Sequence, residues 1–178
     1  GFLTRGCIRK CRRCSVREKE GLIRPENDIE DFLKHKKVLL LDNNVLACPW
    51  GIGQIEKLIS LPVRVDFNQG LDARLIDDYI AGLLANVKWI RCIRVACDSI
   101  RMLREVKRAV KLLRKNGYGG EIMSYVLTRD IGTALSRVEK LRDMGVDPFV
   151  MPYRDRSGKR PDQELRRFAR WVNHKAIF

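Results

Sequence analysis

The sequence predicts an α/β chain with parallel strands, and three observations predict it. Five short runs, residues 37–41, 63–67, 90–96, 122–127 and 148–151, are rich in Val, Ile, Leu and Phe, as strands buried on both faces are. Segments between them carry apolar residues at helical spacing. Helix start and stop residues fall where that alternation needs them. One helix per strand implies right-handed βαβ units and a parallel sheet. Counting residues 1–4 as the tail of an opening strand gives six units. A full barrel needs eight strands and ~250 residues, so the sheet is either an open doubly wound layer or an incompletely closed barrel. In both, the working face lies at the C-terminal strand ends.

Taken in order, the opening strand delivers a Cys-rich loop, Cys7 to Cys14, and strand 37–41 ends in Asp42-Asn43-Asn44. Strand 63–67 runs into the polar segment Asn68 to Arg74, where Gly70 permits a tight turn and Asp72 can cap the next helix. Leu75, Ile76, Tyr79, Ile80 and Leu83 form that helix's apolar face. After strand 90–96, Asp98-Ser99 is the expected cap of a helix built on Ile100, Leu103, Val106, Val110 and Leu113 and stopped at Gly117. Strand 122–127 leads to the Asp130 cap, a helix on Leu135, Val138 and Leu141, and a stop at Gly145. Strand 148–151 exits at Pro152-Tyr153-Arg154, and Leu165, Phe168, Trp171 and Val172 in the tail read as a helical core face.

Hydrophobic residues make up 45% of the 178 and charged ones 33%, which excludes a disordered or fibrous chain and places one domain over residues 1–178. The longest clean apolar run is Val38-Leu39-Leu40-Leu41, far short of the ~20 residues of a membrane helix. The start carries no charged-then-apolar signal layout and no initiator Met, so the chain reads as a piece lacking upstream segments, with missing downstream segments an open reading. A net charge of +14 favours acidic partners. Arg101, Arg104, Lys107, Arg108, Lys111, Arg114 and Lys115, opposed by Glu105, form a basic stripe, and the tail from Arg154 to Lys175 repeats the theme. Solvated helix faces and phosphate-binding surfaces are both open readings of such runs.

Cys7, Cys11 and Cys14 crowd one Arg-rich loop, whereas Cys48, Cys92 and Cys97 sit in core-like segments, a distribution that suits a reducing cytoplasm and thiolate ligands. Cationic neighbours favour thiolates. Structural zinc normally takes four ligands, and neither a second Cys pair nor a suitably spaced His follows; His35 and His174 are remote. Three thiolates that leave one metal position open suit a reactive centre, and iron–sulfur clusters take such ligands. Cys48 and Cys97 lie near the working face as hydrogen donors, second-metal ligands or plain buried residues. Cys92, five residues before Cys97, points to the other side of its strand.

The spacing of Cys7, Cys11 and Cys14, on the loop after the first strand, resembles the CxxxCxxC signature of the radical SAM superfamily. The resemblance spans nearly the whole chain and implies a partial (β/α)6 TIM-type barrel. It implies a [4Fe-4S] cluster on these three thiolates, with S-adenosylmethionine on the fourth iron, cleaved by one electron to a 5′-deoxyadenosyl radical that abstracts hydrogen from an unknown substrate. An external electron donor of flavodoxin or ferredoxin type is implied with it. Asp42, Asn43 and Asn44 resemble the variant of the family motif that accepts from the cofactor's ammonium, and they also read as a simple turn. Asp98 stands where a polar group binds a ribose hydroxyl, and Val126 and Leu127 where adenine is bracketed. Arg13 occupies the place of the family's usual aromatic residue.

Two rivals share the same residues. One is a Cys-rich zinc or iron–sulfur module that binds nucleic acid without catalysis; the other is an electron-transfer protein, for which the βα scaffold would be superfluous. Within the enzyme reading, the basic runs favour a phosphate-bearing or nucleic-acid substrate.

Overall fold

A computed structural model describes residues 1–12, 14–154, 158 and 160–174. Gly1 lies beside the chain's third strand: its N donates to Leu39 O at 2.7 Å and its carbonyl accepts from Leu41 N at 2.9 Å, the bonding pattern of a parallel pair. β1 (Thr4–Arg5) pairs antiparallel with β2 (Arg24–Pro25), and the Cys loop and α1 (Val16–Glu20) lie between them. After α2 (Ile29–Phe32), which Asp28 and Asp31 close with a reciprocal capping box, β3 (Lys37–Leu40) pairs in parallel with β4 (Arg64–Phe67). The crossover between them is α3 (Pro49–Ser60), begun by a proline where a helix has no use for an N–H.

The third sheet holds β5 (Ile93–Ala96), β6 (Ile122–Thr128) and β7 (Asp147–Pro152), all parallel. α4 (Asp78–Asn86) leads into it, α5 (Met102–Lys115) and α6 (Ile131–Asp143) are its crossovers, and α7 (Gln163–Asn173) packs on β7. The expected α/β alternation with parallel strands is present. Among the described residues, however, the strands form sheets of two and three, and no barrel is closed. The physical reason lies between β4 and β5. Gly70, at φ 85°, turns the chain away after Phe67, so only the bridges Val65–Trp89 and Leu71–Val95 span that edge. A buried Asp66–Arg94 ion pair crosses the same gap.

Strand alternation separates two faces. Val38, Leu40, Val65, Phe67, Ile93, Val95, Ile122, Val126 and Val150 are buried in one core with helix residues such as Leu58, Leu84, Val106 and Val138. The other face is half open. Leu39 is 54% exposed and Phe149 39%, and Phe149 meets Tyr125 edge to face at 6.0 Å.

Several helix expectations need correction. α5 starts at Met102 behind Arg101, which provides no side-chain cap, so Asp98-Ser99 does not cap it, and Ile100 is exposed. Tyr79 is likewise exposed, because α4 begins only at Asp78 and buries Ile80, Ala81 and Leu84 instead. Asp130 does cap α6, accepting from the N–H groups of Gly132 and Thr133, and Gly117 and Gly145 take φ of 88° and 69°. In α7, Leu165, Phe168 and Val172 are buried and Trp171 is not. Among the described residues no helix is long and apolar enough to cross a membrane.

Candidate cofactor and metal site

The Cys loop leaves β1 through Gly6, whose φ of 84° and close approach leave no room for a side chain: a Cβ would meet Leu22 O at 2.3 Å. Glu20, at the end of α1, holds the base of the loop. Its Oε2 accepts from Gly6 N at 3.1 Å and from Asn43 Nδ2 at 3.0 Å, and its Oε1 pairs with Arg5 at 3.2 Å. Cys14 N donates to Cys11 O at 3.0 Å, which folds the second half into a turn.

Cys7 is half-buried, and Cys11 and Cys14 are exposed. The Cys7 sulfur accepts from Arg9 N and from Asn44 Nδ2, each at 3.4 Å. Burial pushes the Cys11 thiol up; Arg74 opposes this, and the neighbouring Cys14 and Cys7 add to it. The three sulfurs therefore stand within electrostatic reach of one another. The structure does not bring the expected thiol triad together as a metal site: among the described residues, no group of three or more His, Cys, Asp or Glu is arranged to hold a metal ion. Arg13 lies outside the described residues.

The β3 exit divides its three polar residues between different tasks. Asp42 is 3% exposed, and its oxygens accept from Leu3 N at 3.0 and 3.2 Å, from Thr4 N at 2.5 Å and from Thr4 Oγ1 at 2.8 Å. That carboxylate ties the opening segment to β3 and is saturated, so it does not suit an incoming ammonium. Burial raises its pKa, and the bonds from Thr4 and Leu3 oppose the rise. Asn43 is engaged by Glu20. Asn44, also 3% exposed, keeps one buried atom without a partner, its carbonyl Oδ1. A buried acceptor with no donor costs about 1–3 kcal/mol, so an orphan acceptor beside a thiol fits a ligand that brings an N–H.

The residues expected around adenine and ribose stand at the exits of β5 and β6. Asp98 Oδ1 accepts from Leu127 N at 3.2 Å, and the Leu127 carbonyl accepts from Arg137. The Leu127 backbone is thus already bonded, and Val126 is fully buried on the helix-covered face. Neither presents a free backbone group to a ring. What β6 offers is the Leu127 side chain on the half-open face, opposite Met151.

One residue not singled out in the sequence, Arg137, and four that were singled out complete the picture. Arg137, 3% exposed, projects from α6 and donates to Cys97 O at 2.6 Å as well as to Leu127 O, clasping the β5 and β6 exits. Its spacing from Ala134 and Leu141 places it on the apolar stripe, the one signal that would have found it. Asp72, expected to cap the next helix, caps only the short turn Ala73–Leu75 by accepting from Arg74 N, while Asp77 caps α4; its carboxylate also accepts from the Arg9 and Arg74 side chains. Cys48, Cys92 and Cys97 are small buried core residues, and burial pushes the Cys97 thiol up to about 11. In comparisons with known proteins, no family model and no curated relative matches the chain.

Proposed function

We propose that the chain is a radical SAM enzyme core. The observation that carries the reading is Asn44: a buried side chain whose Nδ2 donates to Cys7 and whose Oδ1 has no donor, next to the first Cys of a CxxxCxxC run. When bound, a [4Fe-4S] cluster and S-adenosylmethionine supply one-electron cleavage of a sulfonium to a 5′-deoxyadenosyl radical able to abstract hydrogen. Cys7, Cys11 and Cys14 would provide the three thiolates and Asn44 the acceptor for the cofactor ammonium. Asp42 and Glu20 act one step back, ordering the strand and the loop base, and Leu127 offers an apolar side chain. A flavodoxin- or ferredoxin-type protein would deliver the electron.

The finer architecture belongs to the same proposal. The Gly1–β3 bonds, the β3–β4 pairing, the two bridges across β4 and β5 and the β5–β6–β7 sheet follow one another edge to edge. That order supports a curved partial (β/α)6 layer whose open face carries Leu39, Tyr125 and Phe149.

The substrate or partner is read as phosphate-bearing. Four of the seven cations of the α5 stripe are occupied internally: Arg104 and Arg108 share Glu105, Lys115 pairs with Asp78, and Arg114 donates to Tyr118 O and Gly120 O. Lys107 and Lys111 form no ion pair among the described residues, and with Lys140 of α6 they line a groove of about 430 Å³ whose other lining residues are Val110, Met144 and one carboxylate, Asp143. Unpaired ammonium groups around one groove suit phosphate oxygens.

Anaerobic loading with iron and sulfide, then S-adenosylmethionine and a strong reductant, tests the enzyme reading. Release of 5′-deoxyadenosine and methionine is expected. Asn44→Ala should weaken cofactor binding by about 1–3 kcal/mol, roughly 5- to 150-fold. A loaded, reduced protein that yields no nucleoside overturns the proposal. Tight uptake of one zinc in place of a brown cluster would favour the non-catalytic metal-binding module.

A further inference from the structure

We propose that Asp72 is a positioning residue that fastens the middle of the Cys loop to the β4 exit through Arg9, the residue whose amide bonds the Cys7 sulfur. Its side chain is 7% exposed. Oδ2 accepts from Arg9 Nε at 3.0 Å and Arg74 NH2 at 2.9 Å, while Oδ1 accepts from Arg74 Nε at 2.6 Å and Arg74 N at 3.2 Å. Arg9 belongs to the Cys loop, and its own amide donates to the Cys7 sulfur. Arg74, two residues beyond Asp72, belongs to the β4 side of the clamp and is held by the same carboxylate. One buried carboxylate is therefore tied, through Arg9, to the loop two residues beyond Cys7.

The loop needs such an anchor. Among its described residues between Gly6 and Ser15 it has no helix or strand, and ordering each residue costs about 1–2 kcal/mol in backbone entropy. Glu20 holds only its base. A surface ion pair would add little, but Asp72 is buried and multiply bonded, the arrangement in which charge-assisted bonds fix geometry. The purpose assigned to this clamp rests on the metal-site reading of the loop; the clamp itself does not.

Hydrogen exchange on the metal-free chain tests the clamp alone. Asp72→Asn, and separately Arg9→Gln at the more exposed end, should speed exchange in a peptide spanning residues 7–14 at least tenfold and leave peptides from β6 unchanged. The double variant should exchange no faster than Asp72→Asn, because both changes break one link. Unchanged exchange in both single variants overturns the proposal, and so does equal acceleration in β6, which would make Asp72 a general folding residue. Should Asp72→Asn fail to fold, Arg9→Gln decides.

Cobalt(II) titration of the same proteins tests the purpose. Thiolate charge-transfer absorption should appear in the wild type, weaken in apparent affinity about tenfold in Asp72→Asn, and recover in Asp72→Glu. Equal cobalt affinity in wild type and Asp72→Asn overturns the assigned purpose. No thiolate band even in the wild type overturns the metal reading, and exchange then judges the clamp by itself.

Discussion

Asn44 Nδ2 donates to Cys7 Sγ at 3.4 Å, so the exit of β3 and the Cys loop meet at one sulfur atom, 37 residues apart in the chain. Asn43 repeats the connection through Glu20, which also holds Gly6. Two strand exits are thereby set side by side before any ligand arrives, which lowers the ordering cost of binding.

If each loop thiol is a separate iron ligand, Cys7→Ala, Cys11→Ala and Cys14→Ala should each abolish stable cluster loading. Cys92→Ala should load normally, because Cys92 is a buried core residue. Anaerobic iron and sulfide counting on the four proteins checks this; wild-type iron content in Cys11→Ala would remove the assignment.

Asp42 should contribute most to stability in acid. Burial holds its folded-state pKa above the ordinary carboxylate value of about 4 despite the opposing bonds from Thr4 and Leu3. Its contribution is then complete below that ordinary value and declines as pH rises through the raised one. Asp42→Asn cannot ionise, so its deficit against wild type should be larger at about pH 4 than at about pH 7 in urea unfolding. A deficit that grows with pH would contradict the sign.

Arg137→Met should destabilise the fold by roughly 2–4 kcal/mol, since it removes the donors to Cys97 O and Leu127 O and to Thr133 O beneath the strand exits. Arg137→Lys should recover less than half of that, because one ammonium does not span carbonyls on two strands. Urea midpoints of the three proteins give the comparison; a lysine variant as stable as wild type would show that charge alone suffices.

Binding of short RNA or DNA should weaken with salt, log affinity falling by roughly 0.7–0.9 per log unit of salt for each phosphate neutralised. Changing Lys107, Lys111 and Lys140 to Glu together should flatten that slope, whereas reversing Arg114, already held by Tyr118 O and Gly120 O, should matter less. Binding indifferent to the triple change would leave the groove as solvated surface.

What the sequence by itself determined are the features written in local periodicity. Residues 122–127 lie within β6 and residues 148–151 within β7, while Leu103, Val106, Val110 and Leu113 became the buried side of α5, because alternation and helical spacing state which side chains must leave water. Asp130, Gly117 and Gly145 were legible as cap and stops for the same reason: their chemistry acts within one turn. Tertiary structure decided everything that depends on which distant groups meet. Asp42 and Asn44 stand two residues apart, yet the first is saturated by Leu3 and Thr4 and the second keeps an orphan oxygen beside Cys7. Asp98, readable as a helix cap, holds the Leu127 amide instead. A polar side chain's role is set by the partner that desolvates it, and that partner can be 29, 37 or 63 residues away.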